Sequence, residues 1–217
     1  MKKLRWDLAF YRVARDLLVA MARLWLGLRV EGAANVPTEG PFVVAPVHRS
    51  NIDTILVAGI TRRRLRFMGK DSLWKYRAPG AVLSALGGFP VHRGSADREA
   101  LRRSIEVIER GEPLVIFPEG TRQSGPKLQP IFEGAAYVAA RTGVPIVPVG
   151  IGGSEPAMPK GSRMIHRVKV ALVVGEPILA PAGEGSRVAR RAVHETTEVL
   201  AERLQELFDR AQALVGS

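Results

Sequence analysis

The sequence predicts an α/β fold, with a mixed, mostly parallel central sheet flanked by helices and an N-terminal amphipathic helical appendage. Apolar strand-like segments alternate with helical patterns through the middle of the chain, which is typical of α/β proteins. The 217 residues are enough for one large domain that buries its own core. No internal repeat, low-complexity tract or linker divides them. We therefore predict an N-terminal helical segment over residues 1–30 and a single α/β domain over 31–217.

The first element is a long helix over residues 3–28. Bulky apolar side chains recur there every three or four residues, within a sector about 80° wide. They are Trp6, Phe10, Val13, Leu17, Met21, Leu24 and Leu28. Arg5, Arg12, Asp16 and Arg23 fall on the opposite side. A helix with this pattern either lies in a membrane interface or packs its stripe on the domain's own core, and the sequence favours the two equally.

Charged residues interrupt every apolar run in the first thirty residues. The uncharged stretch at 17–22 is far shorter than the ~20 residues that a membrane-spanning helix needs. We therefore expect neither a secretory signal nor a spanning helix.

Strands and helices alternate after a turn-rich connection at 32–41. Apolar and β-branched segments predict strands at 42–47, 62–70, 89–91, 114–117, 144–149 and 168–174. Helical patterns predict helices at 50–60, 80–86, 97–110, 133–142 and 186–215. Gly111 and Gly143 stand where two of these helices should end. Pro145 and Pro148 each remove a backbone donor, so their strand should have irregular or edge-like pairing.

The composition limits the classes of partner that the protein is expected to bind. A net charge of +11 and a pI near 10.8 favour anionic partners: nucleic acid, an anionic membrane surface or phosphorylated substrates. The chain has no nucleic-acid-binding signature and only 6% aromatic residues, so the membrane and phosphate hypotheses are preferred. It has no cysteine, which excludes disulfides, thiolate metal sites and a cysteine nucleophile and suits a reducing cytosol.

Two polar segments follow apolar strands. His48 and Asp53 come after the strand at 42–47, at a spacing that allows the carboxylate to hold the ring of a general base. Alternatively, Ser50 and Asp53 form a capping box at the start of the next helix, and the two roles are compatible. Taken alone, a histidine and an aspartate at this spacing are a weak pattern.

The second polar segment, 117–122, follows the strand at 114–117. Gly120 allows close approach of a ligand, and Arg122 is able to form paired hydrogen bonds with a phosphate. Glu119 either accepts hydrogen bonds from a polyol hydroxyl or holds an arginine in place. By itself the segment is equally a tight turn with a solvated arginine. A further arginine, Arg93, follows the strand at 89–91, and the run Arg62–Arg64 is either a solvated face or a site of attraction for anionic groups.

The set of segments is more specific than any member. His48-x4-Asp53, then 87–93, 117–122 and 144–149, in this order and at these intervals, resembles the glycerolipid acyltransferase family. Its type members are the lysophosphatidic acid acyltransferases (1-acylglycerol-3-phosphate O-acyltransferases). The resemblance covers roughly residues 30–180. It implies that 31–217 is an acyltransferase domain of phospholipid biosynthesis.

The resemblance also implies roles for single residues. His48 matches the base that deprotonates an acceptor hydroxyl, and Asp53 matches its orienting partner. The residues that match the blocks associated with the acceptor phosphate are Arg93, Glu119, Gly120, Thr121 and Arg122. The segment 144–149 matches the acyl-donor side. The family usually has asparagine where this chain has Val47 and an aromatic residue where it has Pro90.

The implied reaction moves a fatty acyl group from acyl-CoA or acyl carrier protein to a hydroxyl of lysophosphatidic acid or a related glycerol phosphate. It requires no metal and no redox cofactor. The implied location is the cytoplasmic face of a membrane, as a peripheral or monotopic protein on an anionic membrane surface, without nucleic acid as a partner.

Other functions stay open at this point. Within the same family, glycerol 3-phosphate or a glycolipid could be the acceptor. A lipid ester or thioester hydrolase could use the same His–Asp pair to activate water. A non-enzymatic membrane- or nucleic-acid-binding module built on the basic surface is the third alternative, and its affinity would fall steeply with salt.

Overall fold

A computed structural model describes residues 2–91, 98–181 and 189–216, with side chains from residue 7 onward. The strands in these ranges are β1 Arg29–Glu31, β2 Val43–Pro46, β3 Arg66–Lys70, β4 Gly88–Val91, β5 Leu114–Val115, β6 Pro145–Gly152, β7 Ala171–Val174 and β8 Ile178–Leu179. The α-helices are α1 Lys2–Leu26, α2 Asp53–Val57, α3 Arg77–Ala85, α4 Arg98–Glu109, α5 Gly134–Thr142, α6 Ser154–Ala157 and α7 Arg190–Gly216. A 3₁₀ turn, Ala58–Ile60, continues α2.

The strands form one mixed, mostly parallel sheet in the order β1-β7-β6-β2-β5-β3-β4, with β8 also pairing β6. Only β7 and β8 run antiparallel to their neighbour β6. On one side of the sheet α1 contacts α2 and α3, while α4, α5 and α7 form a second helical layer. The predicted α/β fold with an N-terminal helix is therefore confirmed. The sequence prediction missed the short strands β1 and β8 and the short helix α6.

The centre of the sheet is buried on both faces. Residues 42–45 of the second strand have no exposed surface at all. A continuous apolar run of this kind is typical of a strand with helices on both sides. Val47 continues the run and is also fully buried, so it belongs to the core.

Of the two alternatives predicted for residues 144–149, irregular pairing is observed and edge-like pairing is wrong. On one side β6 pairs β8 at Pro145 and Ile146 and pairs β7 from Val149 onward. β6 lies inside the sheet, between β2 on one side and β7 and β8 on the other. The prolines are tolerated because Pro145 begins the strand and Pro148 falls where β6 passes from β8 to β7. At that point Gly175 donates its N–H to the carbonyl of Pro148. Pro148 has no N–H to donate in return, and this missing hydrogen bond lies where the pairing of β6 with β7 ends.

The first helix has two apolar sides. One side packs on the domain through the buried residues Tyr11, Val19, Ala22 and Leu26. The predicted stripe lies on another side and is exposed at Phe10, Val13, Leu17, Met21 and Leu24, with Leu24 82% exposed. Leu28 follows the helix and is buried, and the side chain of Trp6 lies outside the described residues. The hypothesis that the stripe packs on the domain's own core is therefore wrong for its described helical members.

No helix in the described part of the chain is both long enough and apolar enough to cross a membrane.

Candidate active site

Three parallel strands bring the predicted motifs to one edge of the sheet. His48 follows β2, Glu119 follows β5, and Ser154 follows β6, whose register with β2 is parallel. Residues that follow neighbouring parallel strands meet at the same edge, where open α/β sheets bind their ligands. The two polar segments that are 70 residues apart in sequence are therefore neighbours in the fold.

His48 and Asp53 form the predicted contact. The His48 Nδ1 lies 2.9 Å from Asp53 Oδ2, and the carboxylate is fully buried while the imidazole is 17% exposed. An ionised carboxylate only accepts, so Nδ1 carries the proton and donates it to this hydrogen bond. Nε2 is then left as the proton acceptor of the ring. Phe117 stacks on the imidazole with ring centroids 4.0 Å apart, which limits rotation of the ring.

Asp53 also organises the loop before its helix. Its Oδ2 accepts hydrogen bonds from the backbone N–H groups of Arg49 and Ser50, each at 2.7 Å. The contact with Ser50 is one half of the predicted capping box. The other half is absent, because the Ser50 hydroxyl donates to the carbonyl of Met158 instead. One carboxylate therefore fixes both the imidazole and the backbone turn that carries it.

A buried ion pair joins the two motif loops. Arg49 is 1% exposed, and its Nη1 lies 2.7 Å from both carboxylate oxygens of Glu119. Glu119 also accepts the backbone N–H groups of His48 and Gln129. The carboxylate is enclosed and both of its oxygens have protein partners, which favours the interpretation that Glu119 holds an arginine in place.

The remaining donors of Arg49 tie the site to a third segment. They reach the carbonyls of His48, Gly125 and Lys127, and the guanidinium lies 4.7 Å from the ring of Phe208 on α7. The sequence analysis did not predict a role for Arg49. Nothing in its local pattern distinguishes it from the many exposed arginines of this basic chain.

The rest of the segment 119–122 faces outward. Gly120 has φ +68°, and a Cβ there would lie 2.8 Å from the ring of Phe132. The positive φ favours glycine at this position, and a side chain there would also displace the exposed ring of Phe132. Thr121 is exposed, and Arg122 is half-buried without a hydrogen bond or ion pair to any residue in the described ranges. Arg93 lies outside the described residues.

One apolar cavity adjoins this edge, and a second lies on the side of β3 that faces α1. The larger, of 670 Å³, is bounded by Phe117, Gly120 and Thr121 and by side chains of α4, α5 and α7. The smaller, of 390 Å³, lies between α1, α2 and α3. Met68 lines both cavities, so β3 forms the wall between them.

The chain is similar to known acyltransferases over most of its length. A family model described as Acyltransferase matches residues 27–152. A 1-acyl-sn-glycerol-3-phosphate acyltransferase of Bacillus subtilis is 28% identical over 205 residues, which cover 94% of this chain and 100% of that protein. A chloroplastic enzyme of the same name from Brassica napus is 30% identical, and the match covers 79% of this chain and 53% of that protein.

A solved structure has the same fold. The crystal structure of the 1-acyl-sn-glycerophosphate (LPA) acyltransferase from Thermotoga maritima superposes with a TM-score of 0.77 at 27% identity. The match covers 96% of this chain and 84% of that one.

Proposed function

Since the chain belongs to the acyltransferase family, we propose that it transfers a fatty acyl group from an acyl thioester to a free hydroxyl of lysophosphatidic acid or a related glycerol phosphate. The observation that carries this proposal is the buried Asp53 carboxylate, which lies 2.9 Å from His48 Nδ1. The neighbouring loop carries Arg122, which has no hydrogen-bond or ion-pair partner among the described residues. The names of the relatives from Bacillus subtilis and Thermotoga maritima support the same acceptor class.

In the proposed step the acyl group passes directly from the sulfur of the thioester to the oxygen of the acceptor hydroxyl. His48 Nε2 removes the proton from the acceptor hydroxyl, and the oxygen attacks the thioester carbonyl. The tetrahedral intermediate collapses by breaking the carbon–sulfur bond, and the thiolate takes the proton from the imidazolium. The products are an ester and a free thiol. Asp53 stabilises the imidazolium that forms during the step and keeps the ring in the required tautomer.

The acceptor phosphate is assigned to Arg122 and, by the family resemblance, to Arg93. The half-buried Arg122 guanidinium has no partner within the described residues, so it is available for a bidentate contact. Holding the phosphate fixes the hydroxyl next to His48, which converts the attack into an effectively intramolecular step. Thr121 and Gly120 line the adjacent cavity wall. We assign Glu119 to positioning the two loops instead of binding the acceptor.

We assign the binding site of the acyl donor to the edge of the sheet that carries His48. The 670 Å³ cavity is mainly apolar, with Leu101, Phe132 and Val193 among its lining residues, which suits a fatty acyl chain. Either coenzyme A or acyl carrier protein could carry that chain. The cavity adjoins Phe117, whose ring stacks on His48, so a thioester carbonyl at its mouth would lie close to the base.

A lipid acceptor requires contact with a bilayer, and we assign that contact to residues 1–30. The exposed stripe of α1 supports an interfacial position, with its apolar side chains at the acyl boundary and its arginines among anionic headgroups. Residues 31–217 are then the catalytic domain on the cytoplasmic face of the membrane, held as a peripheral or monotopic protein.

The acceptor assignment is tested with purified wild type and Arg122→Ala on a panel of lysophosphatidic acid, glycerol 3-phosphate and lysophospholipids, with oleoyl-CoA and oleoyl acyl carrier protein as donors. We expect Arg122→Ala to lower kcat/KM for the phosphate acceptor by roughly 30- to 1000-fold, with the donor KM little changed. Arg141→Ala, on α5, is the matched control. If the variant loses donor affinity and keeps acceptor affinity, Arg122 belongs to the donor site.

The same panel tests the hydrolase alternative. A transferase consumes thioester in proportion to acylated acceptor, and thioester loss without acceptor should be a small fraction of the total. Thioester hydrolysis at the same rate with and without acceptor would contradict the proposed function.

The membrane assignment is tested by replacing Phe10, Leu17 and Met21 with serine. All three side chains are about half exposed or more, so the change should leave the melting temperature nearly unchanged. Co-sedimentation with anionic vesicles should fall, while transfer to a detergent-dispersed acceptor should persist. If the variant binds vesicles as tightly as wild type does, α1 does not make the membrane contact.

A further inference from the structure

A basic cavity of 590 Å³ lies between α1 and the segment that leads into β3. We refer to it as the arginine cavity. Its wall carries five guanidinium groups and one carboxylate, from Arg12, Arg15, Asp16, Arg62, Arg63 and Arg64. The hydroxyl residues Thr38 and Thr61 also line it. A concave surface with this excess of positive charge attracts anions.

Three of the arginines are held in place by the protein. Arg15 donates to the carbonyl of Ala58 and pairs with Asp16. Arg63 donates to the carbonyl of Pro37. Arg64 pairs with Glu112, with 2.6 Å between Nη2 and Oε1. These contacts fix the floor of the cavity.

The other two arginines are uncommitted. Arg12 and Arg62 are exposed, and neither forms a hydrogen bond or ion pair with a residue in the described ranges. The hydrogen bond from Arg15 is the main cause that lowers the pKa of the Asp16 carboxyl, so the one carboxylate of the cavity is ionised and already paired. The charge of Arg62 also lowers the pKa of the Asp16 carboxyl, but no hydrogen bond joins them, so the guanidinium donors of Arg12 and Arg62 are available to a ligand.

The cavity is separate from the candidate active site. Residues 60–64 precede β3, whereas His48 follows β2, and β2 and β3 run in the same direction in one sheet because both are parallel to β5. The two sites therefore lie at opposite edges of that sheet. An anion in the arginine cavity is not positioned to be the acceptor phosphate.

The neighbouring surface identifies the anion. Arg12 lies on the polar side of α1, about 140° around the helix from the centre of the exposed stripe. An interfacial helix carries its basic residues on this polar face, where they attract anionic lipid headgroups. We propose that the arginine cavity binds the phosphate group of an anionic membrane lipid that is not the substrate. This inference rests on the proposed membrane contact of α1.

Two variants test the cavity itself. Arg12→Gln/Arg62→Gln removes the two uncommitted charges, and Ala33→Phe fills the cavity, which Ala33 lines, without changing the charge. The matched control, Arg191→Gln/Arg203→Gln, removes the same charge from α7 in the other helical layer. Binding is measured by co-sedimentation with phosphatidylcholine vesicles, with and without phosphatidylglycerol.

We expect Arg12→Gln/Arg62→Gln to bind phosphatidylglycerol vesicles roughly 10- to 30-fold more weakly than wild type, since each basic residue at such a surface contributes on the order of 1 kcal/mol. Ala33→Phe should also bind these vesicles more weakly, because its side chain occupies the cavity. Binding to pure phosphatidylcholine should not change, and the α7 control should bind as wild type. Transfer to a detergent-dispersed acceptor should also be unchanged.

Each other outcome overturns the inference in a distinguishable way. If wild type binds vesicles and Ala33→Phe binds equally well, the membrane contact stands but the cavity is not a headgroup site. If wild type binds no vesicle, the proposed membrane contact fails as well. If the double variant raises the donor KM in detergent, the cavity binds the nucleotide phosphates of coenzyme A. Release of protein by inorganic phosphate, beyond that caused by chloride at equal ionic strength, would identify free phosphate as the ligand.

Discussion

Replacing Glu119 with glutamine leaves the Arg49 guanidinium buried without a counter-charge. In the wild type both carboxylate oxygens lie 2.7 Å from Arg49 Nη1, and neither side chain is more than 1% exposed. Glutamine keeps the shape and one acceptor oxygen but not the charge. The change therefore tests electrostatic stabilisation of the two loops with little change in packing.

The magnitude follows from burial. Removing one partner of a buried ion pair costs about 3–5 kcal/mol, because the remaining charge is uncompensated. For a domain of this size, each kcal/mol lowers Tm by about 2–4 °C. We therefore expect Glu119→Gln to lower Tm by roughly 6–20 °C. Arg49→Met should have a similar effect, and the double variant should be less unstable than the sum of the two single changes.

The assay is thermal and urea unfolding of the wild type, both single variants and the double variant. Glu155→Gln, at the nearby α6, is the control, since Glu155 accepts only one backbone N–H among the described residues. The family resemblance makes the opposite prediction for Glu119: a role in acceptor binding, with a higher acceptor KM and little loss of stability. A Glu119→Gln variant that melts within about 2 °C of wild type and has only a raised acceptor KM would refute the positioning role.

Three further predictions follow from the site and the core. Asp53→Asn should lower kcat by about 10² to 10⁴, as expected for a misoriented base, with Tm measured in parallel because the same oxygen accepts two backbone N–H groups; wild-type turnover would contradict it. Gly120→Ala should lower Tm and activity together, because φ +68° favours glycine and a Cβ would also displace the Phe132 ring; an active, stable variant would show that the loop adapts. Gly150→Ala should lower Tm by several degrees or prevent folding, because a Cβ there would overlap the backbone of Leu207 on α7; gel filtration and circular dichroism would detect a fold that tolerates it.

The order of strands and helices could be predicted because the local pattern and the burial agree. The run at 42–47 is apolar without alternation, and the structure buries it on both faces. The prolines of the later strand misled the prediction because proline is usually confined to edges. Whether Pro145 and Pro148 lie at an edge depends on which strands are neighbours, and that is a property of the whole sheet.

The apolar stripe of the first helix shows a second limit of prediction from the sequence. Its period predicts a helix, and the helix is present, but the period does not state which of two apolar sides packs on the domain. The side with Tyr11, Val19 and Ala22 contains smaller or more polar residues than the stripe, yet it is the buried one. The bulkier residues remain exposed, which is the arrangement expected of an interfacial helix.

The part of the site that could be predicted is the contact between two residues that are close in sequence. Four residues lie between His48 and Asp53, and the end of a strand followed by the start of a helix brings the two side chains together. The sequence left open that Glu119 holds an arginine in place, but it did not show which arginine, because that contact requires two strands to be neighbours and Arg49 to turn inward. Arg49 has no sequence signature for that orientation, since burial of an arginine depends on the surrounding acceptors.

Acyl transfer by wild type and His48→Ala, with oleoyl-CoA and lysophosphatidic acid, tests the central claim most directly. Phosphatidic acid and free coenzyme A are measured together by mass spectrometry, and Tm confirms that the variant is folded. We expect equal amounts of both products from wild type, little thioester loss without acceptor, and a decrease in transfer rate on the order of 10³-fold or more in His48→Ala. A folded His48→Ala variant that forms phosphatidic acid at the wild-type rate would contradict the central claim.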